Sequence, residues 1–344
     1  MVSEDIQKRK REHLEISTSS VAQTGVAGFD SYRFIHNALP EIDFDEVDLS
    51  VEMFGKKLNY PFFISSMTGG VVEGKKINRN LMNVAEKCGV MMGVGSQRAA
   101  IEKPELADLF VDEVRERSFP LLANVGAVQL NYGFDVAKMQ KAVDMIGADA
   151  LILHINPIQE AVQAEGNRNF KGLVAKIGEI VKGVSVPVIA KEVGFGISED
   201  VCQRLVDVGV RYVDVAGWGG TSWSVVEGRR SGGNQTLGDL FGEWGIPTTE
   251  SVVMCKRVAD RANQKLTILA SGGVRSGLDV AKAIALGADM VGLASPFAKA
   301  AMESEESVVE LIERLGNELR VAMFGVGVAN LSELRNTNLI KINQ

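Results

Sequence analysis

At 344 residues, 46% hydrophobic and 24% charged, the chain can bury one large core of the kind a barrel of alternating strands and helices requires, about 250 residues. A formal charge of −7 argues against nucleic acid as a general partner, because a polyanion calls for a basic face. No apolar run is long enough to span a membrane, and the charged opening residues do not resemble a secretion signal, so a cytoplasmic protein is expected; Cys88, Cys202 and Cys255 offer neither metal-ligand spacing nor an even disulfide set.

Residues 1–60 belong to no repeat and form an arm and lead-in segment. Lys8, Arg9, Lys10, Arg11 and His13 are, by themselves, most simply a solvated basic helix end. From Tyr60 a rhythm begins: a short apolar run, a loop of glycine or small polar residues, then an amphipathic helical stretch. Eight runs recur, near 61–65, 90–94, 120–124, 150–154, 187–191, 212–216, 266–271 and 290–294. Helical patterns lie between and after them at 77–88, 105–117, 136–146, 172–181, 199–208, 252–262, 278–285 and 308–324. Continuous apolar strands flanked by helices predict a parallel sheet, and eight repeats predict an α/β protein with a closed (β/α)8 TIM barrel over 61–330, followed by a short tail at 331–344.

In such a barrel the chemistry sits where the strands end. Those ends carry Ser66-Met67-Thr68-Gly-Gly, Gly-Ser96-Gln97-Arg98, Asn124, His154-Ile-Asn156, Lys191-Glu192, Ala216-Gly-Trp-Gly-Gly-Thr221, Ser271-Gly-Gly273-Val-Arg275 and Ala294-Ser295. The fourth end is the densest: the run Ala150–His154 delivers His154, Asn156, Gln159 and Glu160, with Pro157 stopping the strand. Taken alone these four are equally a helix cap. Polar groups at nearly every other strand end favour a site.

Strands seven and eight suggest a phosphate cup. Glycines let the backbone approach an anion, the helix expected near Leu278 would offer its N-terminus, and Arg275 adds charge unless it forms a surface ion pair. Lys191 ends a buried strand and needs an anionic partner. It could form a Schiff base, face a negatively charged ring, or pair internally with Glu192 or Asp214. With Thr68, Ser96 and Asn124 beside it as hydrogen-bonding groups, a flavin is preferred. No dinucleotide fingerprint is present, so FMN is the form expected.

Taken together and in order, Arg9-Lys-Arg-Glu-His13, Met67-Thr-Gly-Gly70, Gly93-Val-Gly-Ser-Gln-Arg98, His154-Ile-Asn-Pro-Ile-Gln-Glu160, Lys191-Glu-Val-Gly-Phe-Gly196, Gly217-Trp-Gly-Gly-Thr221 and Ser271-Gly-Gly-Val-Arg275 resemble the type 2 isopentenyl diphosphate isomerases. The resemblance implies interconversion of isopentenyl and dimethylallyl diphosphate, in isoprenoid biosynthesis, by a homo-oligomer (tetramer or octamer). It implies reduced FMN, with NADPH or another reductant to reduce it, and Mg²⁺. Carried over by position, it places Ser66, Met67, Thr68, Ser96, Asn124, Lys191, Thr221, Gly273, Arg275, Ala294 and Ser295 on FMN. Substrate would fall to Arg9, Lys10, Ser96, Gln97, Arg98, His154, Asn156 and Gln159, the metal to Glu160, and the catalytic roles to Gln159, His154 and Lys191. Ala216 departs from members that carry a hydroxyl there. On this reading the basic arm folds over the barrel mouth to neutralise the diphosphate.

Two rivals remain. An FMN-dependent 2-hydroxy acid oxidase would share the barrel, the lysine and the cup, but it needs a histidine base and an arginine after strand six. The only histidines are His13, His36 and His154. A non-catalytic flavin-binding protein would have no use for His154, Gln159 and Glu160 grouped together.

Overall fold

The computed structural model describes residues 2–67, 72–111 and 113–342. Eight parallel strands close into a barrel: β1 (Phe62–Ile64), β2 (Met92–Gly93), β3 (Leu121–Gly126), β4 (Ala150–Ile155), β5 (Val188–Glu192), β6 (Tyr212–Asp214), β7 (Thr267–Ser271) and β8 (Met290–Leu293). Val291, Gly292 and Leu293 pair with Phe62, Phe63 and Ile64, which shuts the ring. Each strand overlaps one of the eight apolar runs. The runs carry no alternation because both faces are covered, by barrel interior on one side and helices on the other; β1, β3, β5, β7 and β8 are buried along their whole length.

A repeated device secures the amino-terminal end of the barrel. Asp149 and Asp289 each follow Gly-Ala before a strand. Asp149 accepts the N–H of Leu121 at 2.8 Å and pairs with Lys56 at 2.6 Å. Asp289 accepts the N–H of Ile268 at 2.8 Å and pairs with Arg335 at 3.2 Å. Lys56 reaches Asp149 from a small antiparallel hairpin, Val51–Met53 with Lys56–Leu58, laid across that end.

Most helices fall where the periodicity places them, at Val136–Ile146, Leu173–Gly183, Glu199–Asp207, Gly277–Ala285 and Glu305–Val326 among others. The helix expected over 105–117 does not form. A 3-10 turn covers Pro104–Leu109, and beyond it the guanidinium of Arg117 takes the carbonyls of Glu113 (2.8 Å), Arg115 (2.9 Å) and Ile146 (3.3 Å). Those carbonyls satisfy a buried side chain instead of helix amides.

Three features lie outside the repeat. The arm is a helix, Val2–Thr18. The glycine-rich excursion after β6 folds into two short helices, Trp223–Arg229 and Gln235–Leu240, that touch backbone to backbone: a Cβ on Gly228 would sit 2.8 Å from the Gly238 Cα. Lead-in and tail are joined, since Tyr32–Phe34 pairs antiparallel with Leu339–Lys341.

Candidate active site

The carboxyl ends of the strands and the arm helix enclose a cavity of about 540 Å³. Its lining includes Ser66, Met67, Ser96, Arg98, Asn124, His154, Asn156, Gln159, Glu160, Lys191, Thr221, Gly273, Arg275, Ala294 and Ser295 from the barrel, and Arg9 and Lys10 from the arm. Two expected residues are not among them. Thr68 lies outside the described residues. Gln97 is fully buried behind the wall, where its amide donates to the Ala142 carbonyl (2.9 Å) and accepts the Asn124 N–H (2.9 Å). In this structure Gln97 braces β3 and does not face the cavity.

One wall suits a flavin. Lys191, at the end of β5, donates to the Glu192 carbonyl at 2.7 Å and lies 3.8 Å from the Asp214 carboxylate. The internal ion pair weighed from sequence is therefore present, with Asp214 as partner. Glu192 is turned away: its Oε2 accepts the N–H groups of Val193, Gly194 and Phe195 at 2.6–2.7 Å, and burial pushes its carboxyl up to about 7. The hydroxyl of Ser66 is buried without a hydrogen-bond partner, a donor and acceptor left open for a polar ligand. Gly272 and Gly273 adopt φ of +104° and +70° and pass so close to Gly217 and Gly219 that a Cβ on either would meet a carbonyl oxygen at 2.1 or 2.3 Å. Only glycine permits two loops to meet in this way. Ala216, between them and β6, also has positive φ, 35°.

The cup differs from expectation in one respect. The helix Gly277–Ala285 does not offer its N-terminus to the cavity. Ser276 and Asp279 form a reciprocal cap, Asp279 also takes the Arg275 N–H at 3.0 Å, and Glu318 takes that of Gly277 at 2.6 Å. The helix start on the cavity wall is instead Ser295, after β8.

The same lining carries cations, and they are already partnered. Arg98 pairs with Glu102 at 3.2 Å and Arg9 with Glu165 at 3.7 Å; both carboxylates also line the cavity. Lys10 donates to the Ser96 carbonyl at 3.4 Å; burial, with Arg9 adding repulsion, lowers its ammonium to about 7. His154 Nδ1 lies 2.9 Å from Asn124 Oδ1. Burial and the nearby Lys191 hold this imidazole down to about 4. Glu160 Oε2 accepts the Asn167 N–H at 2.5 Å and its Oε1 accepts from Asn156 at 3.1 Å.

Two residues that the sequence reading did not single out hold the site together. Glu227, buried in the helix Trp223–Arg229, accepts from Gln159 Nε2 at 2.8 Å and from Arg230 at 2.5 Å. Burial would raise its carboxyl, but His13, Gln159 and Arg230 outweigh that effect and lower it to about 2. Gln23, in the lead-in, donates to the Thr221 hydroxyl at 2.8 Å and accepts from Arg275 at 2.5 Å. Neither residue lies in a motif. Only tertiary proximity reveals them.

Barrel, lysine at the end of β5 and glycine cup together define a flavin-type (β/α)8 protein, and the FMN-dependent dehydrogenase family model matches residues 15–108 and 156–341. Among solved structures, a mandelate oxidase variant superposes with a TM-score of 0.66 at 17% identity, covering 99% of both chains. A flavocytochrome b2 variant superposes with 0.65 at 19%, covering 97% of this chain and 82% of that one. At such identity the likeness is one of fold. Sequence relatives are nearer: the isopentenyl-diphosphate delta-isomerase of Nostoc sp. strain PCC 7120 is 46% identical, over 98% of this chain and 97% of its own. That of Oceanobacillus iheyensis is 44% identical over the same shares. The chain belongs to the type 2 isopentenyl-diphosphate delta-isomerase family.

Proposed function

We propose that the protein interconverts isopentenyl and dimethylallyl diphosphate with reduced FMN against the β5 wall and the diphosphate under the arm. The observation that supports this reading is that one cavity is lined by Ser66, Lys191 and the glycine cup and also by Arg9, Lys10 and Arg98, with Gln159 in the same lining. When bound, reduced FMN supplies an electron-rich face for a transition state of carbocation character.

The chain's own residues do the rest. Lys191 provides positive charge at the flavin wall, and the open Ser66 hydroxyl fits a polar ring edge. Arg9, Lys10, Arg98 and His154 neutralise the diphosphate. Arg9 and Arg98 must exchange Glu165 and Glu102 for phosphate oxygens as they do so. Gln159 is held by Glu227 on one side and Asn156 on the other, 2.8 and 3.0 Å away, and presents its amide to the reacting end. An amide is a weak acid, so its task is to position or relay a proton.

Mg²⁺ characteristically uses one or two carboxylates together with substrate phosphates. Glu160 supplies one, and no cluster of three His, Cys, Asp or Glu able to hold a metal exists among the described residues. On this reading the substrate's phosphates supply the remaining ligands. NADPH or another reductant would prepare the flavin, and assembly into a homo-oligomer is part of the same reading. No helix among the described residues is long and apolar enough to cross a membrane.

The test is an anaerobic assay of the FMN-loaded protein with isopentenyl diphosphate, with and without reductant and Mg²⁺. Dimethylallyl diphosphate should form without net consumption of reductant, and Glu160→Gln should raise the Mg²⁺ requirement while leaving FMN affinity alone. Stoichiometric oxidation of substrate would overturn the reading.

A further inference from the structure

Of the three arm residues that line the cavity, Arg9, Lys10 and His13, only His13 is given no part in neutralising the diphosphate. It sits four residues after Arg9 and three after Lys10, on the same helical face, and all three line the cavity. Its imidazole packs edge-on against the Trp223 indole, centroids 5.3 Å apart at 85°. Its Nε2 lies 3.0 Å from Glu227 Oε1, as an ion-pair approach rather than an aligned hydrogen bond. That oxygen is the one that accepts from Gln159 Nε2 at 2.8 Å. Gln159 Oε1 in turn accepts from Asn156 at 3.0 Å, so reversing the amide would set oxygen against the Glu227 carboxylate.

We infer that His13 is a positioning residue: the arm, in docking over the diphosphate, delivers His13 to Glu227 and thereby fixes the orientation of Gln159. Recognition of the charged head and alignment of the group at the reacting end become one event. The helix geometry makes this coupling rigid, because the rotation that aims Arg9 and Lys10 at the head also aims His13 at Glu227. Arg230 completes the link from the other side, donating to Glu227 Oε2 at 2.5 Å and pairing with Glu12 of the arm at 3.6 Å. The inference rests on Gln159 acting at the reacting end.

The experiment compares His13→Ala, His13→Gln, Gln159→Ala and the double variant His13→Ala/Gln159→Ala as FMN-loaded proteins with reductant and Mg²⁺. Misplacing a reacting group by about 1 Å costs on the order of 100-fold, so His13→Ala should lower kcat by at least about tenfold. KM, and the affinity of the oxidised protein for isopentenyl diphosphate by calorimetry, should stay within about threefold. His13→Gln, which keeps a donor, should recover part of the loss. In the Gln159→Ala background, His13→Ala should cost nothing further, because coupled residues are not additive. Additive losses, a glutamine no better than alanine, or a loss confined to substrate affinity would each overturn the inference. A wild type that turns over nothing would instead overturn the proposed activity.

Discussion

Asn124 decides which nitrogen of His154 faces the cavity. Asn124 Nδ2 donates to the Val94 carbonyl at 3.1 Å, so its Oδ1, 2.9 Å from His154 Nδ1, must accept. The neutral imidazole therefore carries its proton on Nδ1 and turns an unprotonated Nε2 toward the side of Gly126, where a Cβ would lie only 3.0 Å from it. To donate to a phosphate, this nitrogen must first gain a proton, which the anion itself favours.

A stability prediction follows from the same pair. With the folded value near 4 against 6.5 for a free imidazole, the unfolded chain binds a proton in that window and the folded chain does not. Stability therefore falls as pH drops from 6.5 to 4. Urea midpoints of wild type and His154→Gln at pH 7 and pH 4.5 measure it: the variant should lose less over that interval. Equal losses would mean that His154 is already charged in the folded protein.

Lys10 makes a prediction of opposite practical sign, about binding. Its ammonium, at about 7 in the free protein against an ordinary 10.5, is largely deprotonated at pH 8.5, and a diphosphate beside it restores the charge. Substrate binding at pH 8.5 should take up a proton, seen as a calorimetric enthalpy that depends on the ionisation enthalpy of the buffer. Lys10→Arg, always charged, should abolish most of that dependence. At pH 6, where Lys10 is already protonated, the two proteins should behave alike.

Lys191 serves the fold as well as the flavin. Removing it leaves Asp214, 1% exposed, with the Ser271 hydroxyl at 2.6 Å and the Ala216 N–H at 3.2 Å but without a counter-charge. Breaking a buried pair from one side costs about 3 kcal/mol. Lys191→Met should lower the denaturation midpoint accordingly and weaken retention of reduced FMN more than of oxidised FMN. Lys191→Met/Asp214→Asn should recover stability without recovering the preference for reduced flavin. If the double variant regains both, Lys191 acts only through the fold.

The barrel was legible in the sequence because its signal is local and repeated: eight apolar runs bounded by glycine and small polar residues, each realised as a strand. Most of the cavity lining was legible for the same reason, since strand ends are found by counting. What escaped depends on distance in sequence. Arg117 overrides the helical pattern of 105–117 by reaching the Ile146 carbonyl, and Glu318 removes a helix N-terminus from the phosphate cup across 41 positions. Glu227 and Gln23 are ordinary polar residues until Gln159 and Arg275 are brought to them. Gln97 failed in the other direction: a polar residue in a motif at a strand end that serves the backbone of β3.

The arm gives the last prediction. Arg9, Lys10 and His13 line the cavity, so the helix that carries them is not a solvated basic end. Its contacts to the site include ion pairs from Arg9 to Glu165 at 3.7 Å and from Glu12 to Arg230 at 3.6 Å, with His13 3.0 Å from Glu227 and Lys10 3.4 Å from the Ser96 carbonyl. Deleting residues 1–13 removes each of these while leaving Ser66, Lys191 and the glycine cup in place. The truncated protein should stay yellow and keep its helical signal. Its KM for isopentenyl diphosphate should rise at least about tenfold, the loss expected when charge-assisted contacts of about 1.5 kcal/mol or more are removed. Because those contacts are partly screened, the gap from wild type should narrow as salt is raised and the intact protein also binds less well. An unaltered KM at low salt would return Arg9 and Lys10 to the status of surface charge and leave Arg98 and His154 to hold the diphosphate alone.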